Sequence, residues 1–276
     1  QRDAGIAENV RFAREVTHSK QFAAHMGLHA SFTLEDASLE QAASAAEPLG
    51  LGFHMHLAEG KDDPVHALQN HAVRTTQRLD RFGILRPGSL LAHGVHLSVE
   101  ETELLAEKGP TVVHNPRSNM NNAVGAPKVD RMLARGIPMA IGTDGLGCGI
   151  FTEVFCARLL AHHAESNPVV LGDEALLSLL RHNYTLAEEL FGMPLGRIGP
   201  GNAADLVIWD YVPPTPLDTE NLLTHLMFAD ISEGLHPFTV LAQGNLALWE
   251  GKVQRLDEQA ALARGQQVAQ DLWARI

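Results

Sequence analysis

Two imidazoles and a carboxylate fall within six residues at His54-Met55-His56-Leu57-Ala58-Glu59, closing an apolar run that begins at Leu51. Imidazole is the commonest side-chain metal ligand and a proton carrier near neutral pH. Residues two apart in a strand project to one face, so His54 and His56 share a side. Glu59 is out of phase and joins them only if the strand has ended by Ala58. Singly, a histidine here reads better as a hydrogen-bonded interior residue and Glu59 as a solvated acid; their density at a strand end shifts the reading toward a site. His93 closes a second run, Leu90-Leu91-Ala92-His93, where an imidazole also serves as a capping donor, while His96 falls in the following loop. Asp144 follows the buried-looking Met139-Ala140-Ile141-Gly142-Thr143 and precedes Gly145. An acid there is costly to bury unless a metal or a donor neutralises it, and the glycines between it and the next helix disfavour a capping role. His114, Asn115 and Asn119 occupy the turn His114-Asn115-Pro116-Arg117-Ser118-Asn119, whose amides suit backbone or substrate equally. His29 lies in an earlier run. Cys148 has no second thiol at ligand spacing.

These residues matter together only if one architecture brings them to one place. Five apolar runs, Leu28 to Thr33, Leu51 to Ala58, Ser89 to Leu97, Thr111 to Asn115 and Pro138 to Thr143, alternate with helical periodicity at Leu39 to Ala46, Pro64 to Arg81, Val99 to Glu107 and Val129 to Arg135. That alternation predicts βα units on a parallel sheet. Ser98 three residues before Glu101 forms a capping box, and Gly136 ends the helix before it. Helices are also predicted over Thr152 to Glu165 and Glu174 to Phe191, the latter N-capped by Asp173. In βα barrels the C-terminal strand ends form the active-site mouth, so the polar residues ending these runs converge there.

Beyond Gly199-Pro200-Gly201 the texture changes to strands at Ala204 to Asp210 and Phe238 to Val253, turning at Gly244-Asn245, then a helix from Asp257 to Arg275. A complete eight-stranded barrel needs roughly 250 residues, and five units already reach Gly192. The expected fold is therefore α/β: a (β/α)8 TIM-type barrel lacking its first strands in this chain, with part of a small C-terminal β-sandwich. The expected divisions are 1–198 for strands four to eight, 199–256 for the sandwich part and 257–276 for the terminal helix. The missing units are expected upstream of Gln1.

With 45% apolar and 20% charged residues among 276, the composition is ordinary for a globular chain. A formal charge of -12, spread along the sequence, disfavours nucleic acid and anionic membrane and suits a small uncharged or cationic substrate. Two cysteines cannot build a disulfide scaffold and no apolar run spans a bilayer, so a cytoplasmic location is expected. The 15 histidines stand out beside 2 tyrosines.

In order, His56-x-x-Glu59, Ala92-His93, His114-Asn115-Pro116-x-Ser118-Asn119 and Gly142-Thr143-Asp144-Gly145 resemble strands five to eight of the amidohydrolase superfamily. Within it, the chain is most similar to the aminohydrolase or deaminase branch, the SsnA group in particular. Gly196-Arg197-Ile198-Gly199-Pro200-Gly201-Asn202-Ala203-Ala204-Asp205 resembles that family's return from barrel to sandwich. The resemblance implies one divalent metal, zinc first and iron second, with His56 and Asp144 as ligands. It implies Glu59 as proton shuttle, His93 as the group orienting the substrate, and Asp144 as acceptor of the water proton. The implied reaction is attack of water on an amidine-like carbon of a heterocyclic substrate with release of ammonia. Chloride or an amide nitrogen as leaving group is one alternative, because residues around a metal activate water without dictating what it attacks; an inactive remnant is another, because the family's His-x-His pair from strand one has no counterpart here. A homo-oligomer is compatible with this reading.

Overall fold

The computed structural model describes residues 2–232 and 235–275, in two compact units spanning 1–192 and 193–276. The first unit runs α1 (Arg2–Val16), β1 (Met26–Gly27), α2 (Asp36–Ala46), β2 (Phe53–Leu57), α3 (Asp62–His71), α4 (Thr75–Arg81) and β3 (Leu90–His93). It continues through α5 (Val99–Lys108), β4 (Thr111–His114), α6 (Pro116–Asn121), α7 (Val129–Ala134), β5 (Met139–Ile141), α8 (Ile150–Glu165) and α9 (Asp173–Phe191).

The five strands form one parallel sheet in chain order. Register pairs Leu57 with His93 and His114 with Ile141. Every strand of a parallel sheet ends on the same edge, so His56, His93, His114 and the segment after Ile141 meet there. Phe53, Met55 and Leu57 are fully enclosed, which leaves His54 and His56 on the opposite face, as their spacing predicts. Met139, Ala140 and Ile141 are all buried, the mark of a strand covered on both faces. At β5 the backbone of Ile141 is satisfied by an amide side chain from α9: its N–H donates to Asn183 Oδ1 (3.0 Å) and its carbonyl accepts from Asn183 Nδ2 (2.8 Å). Gly52, just before β2, is where a Cβ would overlap the Gly88 carbonyl, so the approach of these chains demands glycine.

Several local expectations are corrected. The first run is not a strand from Leu28: β1 is Met26–Gly27, and Ser31–Thr33 is a 3-10 turn. The single helix expected over Pro64 to Arg81 is two, because Ala72 turns left-handed (φ 55°) and stops α3. Asp173 is the first helical residue of α9; Gly172 is its N-cap. The Pro116 turn is the helix α6, and α1 went unread. The Ser98–Glu101 capping box forms as expected, with Glu101 N–H donating to Ser98 Oγ and Ser98 N–H donating to Glu101 Oε2 at 2.9 Å.

The second unit holds β6 (Leu206–Trp209), α10 (Leu222–Ser232), β7 (Pro237–Ala242), β8 (Asn245–Trp249), β9 (Lys252–Val253) and α11 (Glu258–Trp273). Its four strands make an antiparallel sheet in chain order. The tight turn between β7 and β8 is Gln243-Gly244, both with positive φ, one residue earlier than the predicted Gly244-Asn245. Asp257 caps α11 by accepting from Ala260 N–H. Among the described residues no helix is long and apolar enough to cross a membrane.

Candidate active site

Glu59 reaches the sheet edge because β2 ends at Leu57 and Ala58 adopts a left-handed conformation (φ 45°). Both sides of Ala58 are clamped. Its N–H donates to Asp63 Oδ2 (2.9 Å) and its carbonyl accepts from His96 N–H (2.9 Å). Asp63 is itself buried and accepts from Ser31 Oγ (2.5 Å); burial raises its pKa, against the pull of these hydrogen bonds. His93 and Asp144 also carry positive φ, 78° and 51°. Non-glycine residues rarely adopt this region, and such strain gathers where side chains must be aimed at a site.

The ring of His93 is fully buried. Its Nδ1 meets Asn119 Oδ1 at 2.9 Å, and its Nε2 lies 2.9 Å from His56 Nδ1, 3.8 Å from Glu59 Oε2 and 3.8 Å from Asp144 Oδ2. The His56 and His93 rings stack, with centroids 5.1 Å apart. His56 Nδ1 is 3.9 Å from Glu59 Oε2. Asp144 is held from two sides, Ser118 Oγ donating to Oδ2 (2.7 Å) and Gly145 N–H to Oδ1 (2.6 Å). Chiefly the Ser118 bond, with help from Gly145 and the two histidines, keeps its carboxyl below the usual range. Burial, reinforced by His93, lowers the pKa of His56. Neutral imidazole beside ionised carboxylate is the state a divalent cation requires of its ligands.

His56, Glu59 and His93 are the one group among the described residues whose ligand atoms cluster closely enough to hold a metal ion. Two imidazole nitrogens with carboxylate oxygens suit zinc. Ligand atoms on a tetrahedral zinc stand roughly 3.3–3.5 Å apart, given bonds of about 2.0–2.1 Å, and the separations of 2.9, 3.8 and 3.9 Å straddle that value. The donor set therefore fits such an ion. Asp144 approaches this group through His93, whereas the resemblance pairs Asp144 with His56 as ligands.

The other candidates fall around or outside this cluster. His29 lies beside it, its ring 5.3 Å from that of His56 and its Nδ1 2.9 Å from Thr33 Oγ1. His54 packs against His25 instead (6.4 Å between ring centres). His96 contributes backbone groups, accepting from Arg74 as well as donating to Ala58. His114 is buried with its Nδ1 unpaired, and Cys148 is exposed. Asn122 was not singled out by the sequence, yet its Nδ2 donates to Glu59 Oε1 at 3.0 Å.

Residues 2–247 match the amidohydrolase family. The chain belongs to that family. Among its relatives, 5'-deoxyadenosine deaminase of Methanosarcina mazei is 32% identical over 254 residues, covering 91% of this chain and 58% of the relative. The 5-methylthioadenosine/S-adenosylhomocysteine deaminase of Nitratidesulfovibrio vulgaris strain Miyazaki F is 31% identical over 266 residues, covering 95% and 60%. A zinc-bound adenosine deaminase from Xanthomonas campestris superposes with a TM-score of 0.83 at 24% identity, over 97% of this chain and 61% of that one. The atrazine chlorohydrolase of Arthrobacter aurescens, complexed with zinc, gives 0.73 at 20% identity, over 94% and 59%. At these identities the structural likeness speaks for the fold. This amidohydrolase chain spans about three-fifths of the length of these relatives.

Proposed function

We propose that this chain carries the catalytic edge of a metal-dependent aminohydrolase that replaces the amino group of an adenosine-type nitrogen heterocycle with oxygen and releases ammonia. The observation that carries the reading is the meeting of His56, Glu59, His93 and Asp144 at one end of the parallel sheet. The substrate class comes from the relatives named as deaminases of adenosine-type nucleosides. In this reading the sheet is the strand-four to strand-eight part of a closed TIM-type barrel, and the antiparallel sheet is part of a small sandwich.

His56 and Asp144 would hold the metal, zinc in the first instance, with His93 and Glu59 beside it acting on water and substrate. A divalent ion there supplies Lewis acidity and a water whose pKa falls to about 7. Asp144, held ionised by Ser118 and Gly145, takes a proton from the attacking water. Glu59 delivers a proton to the ring nitrogen beside the carbon under attack, so that negative charge does not accumulate on the heterocycle. His93 faces the same space through Nε2, since Nδ1 is occupied by Asn119; it orients the water when neutral and stabilises developing negative charge when protonated. As the tetrahedral carbon collapses, the proton held by Asp144 passes to the amino nitrogen, which leaves as ammonia, and the hydroxyl proton released on forming the carbonyl returns to Glu59.

Removal of the Glu59 proton tests this. Glu59→Gln is expected to lower ammonia release from adenosine-type nucleosides by roughly 10²–10⁴-fold while bound metal stays at the wild-type level. Undiminished turnover would take Glu59 out of the mechanism. A chlorinated triazine assayed alongside separates leaving groups, because chloride release without any ammonia release would assign the other hydrolysis.

A further inference from the structure

Three of the four clustered residues are gripped by the same short stretch of chain. Ser118 donates to Asp144, Asn119 accepts from His93, and Asn122 donates to Glu59. These contacts come from within or immediately after α6, a single turn and a half that begins right after the end of β4. The turn is fixed in place. Arg117 bonds Glu153 of α8 through both its backbone N–H and its side chain, and Asn115 packs so tightly on Gly142 that a Cβ there would lie 2.5 Å from Asn115 Oδ1. Asn119 and His93 are both fully enclosed. Asn119 Oδ1 carries no proton, so its 2.9 Å contact requires the proton of His93 to sit on Nδ1. Nε2, facing His56, Glu59 and Asp144, is then left with its lone pair in the neutral ring.

We propose that Asn119 is a positioning residue that fixes the tautomer and ring orientation of His93, and that Ser118 and Asn122 aim Asp144 and Glu59 from the same turn. Hydrogen bonds behind the groups that act in a metal site set both their orientation and their basicity. One rigid turn doing this for three groups keeps their mutual spacing independent of the strands that carry them.

The tautomer is the direct readout. In protein labelled with ¹⁵N-histidine, long-range proton–nitrogen spectra distinguish Nδ1–H from Nε2–H, and loss of one signal set in His93→Gln assigns the residue. His93 is expected as the Nδ1–H form in the wild type and in Asn119→Asp, which keeps the acceptor. In Asn119→Leu, of similar shape but without it, that signature is expected to vanish. Turnover should fall about 10–100-fold in Asn119→Leu, mainly in kcat with KM within about threefold, and Asn119→Asp should recover most of it. Ser118→Ala should lower kcat while leaving the His93 tautomer untouched. An Nε2–H signal in the wild type, or Asn119→Leu with unchanged spectrum and kcat, overturns the proposal. So does a Ser118→Ala variant that scrambles the tautomer. If Asn119→Leu does not fold, the wild-type and Asn119→Asp spectra decide. The kinetic effect rests on the aminohydrolase reading; the spectrum needs no substrate, so the two can fail separately.

Discussion

His114 ends β4 fully enclosed, and burial, then the neighbouring His93, press its pKa down to about 3. Its unfolded value is about 6.5, so between these two pH values the unfolded chain binds a proton that the folded chain refuses. Stability from this residue is complete above about pH 6.5 and is lost progressively as pH falls toward 3. At about 1.4 kcal/mol per unit, the loss between pH 6.5 and 4.5 is on the order of 2–3 kcal/mol. Urea unfolding across that range should show a slope that His114→Asn flattens; parallel slopes would remove His114 as the source. The sequence made the clustered residues easier to see than their supports. His56, His93 and Asp144 stand at the ends of apolar runs, where sheet geometry alone gathers them. Asn122 is a polar residue in a polar stretch, and nothing in its spacing distinguishes the amide that holds Glu59 from one that faces water. The strain at Ala58, His93 and Asp144 was equally hidden, since none of them is a glycine.

The helix α6 shows why some elements escaped the sequence. Six residues opening with Pro116 are too few for periodicity, and the helix is held instead by the buried Glu153, which accepts from Arg117 Nε at 2.5 Å. Arg117→Met should cost about 3–5 kcal/mol, because it strands a charge in a dehydrated site. The double variant Arg117→Met/Glu153→Gln should recover much of that loss. Denaturant midpoints would check both, and a single variant within about 1 kcal/mol of wild type would contradict the anchoring role. Longer elements were legible for ordinary reasons. The capping box at Ser98 and the alternation in β2 each point one way. The Pro64 to Arg81 stretch was misread because Ala72, a strong helix former by propensity, is driven left-handed by the end of α3. β1 was misplaced because two residues of pairing, Met26 and Gly27, leave no alternation to read.

Taken whole, the chain is acidic and histidine-rich, with His56, Glu59, His93 and Asp144 gathered on the one edge that a parallel sheet provides. Order along the sequence becomes neighbourhood in space because the five strands pair in succession, so family membership and site geometry were readable from the same few motifs. His54, which packs against His25, shares the composition but not the position. Metal stoichiometry is the most direct test that these residues make one centre. Wild-type protein, stripped of metal and dialysed against zinc, is expected to bind close to one ion per chain, and His56→Ala and Asp144→Ala to bind at least about tenfold more weakly. Zinc retained at wild-type affinity in both variants would contradict it.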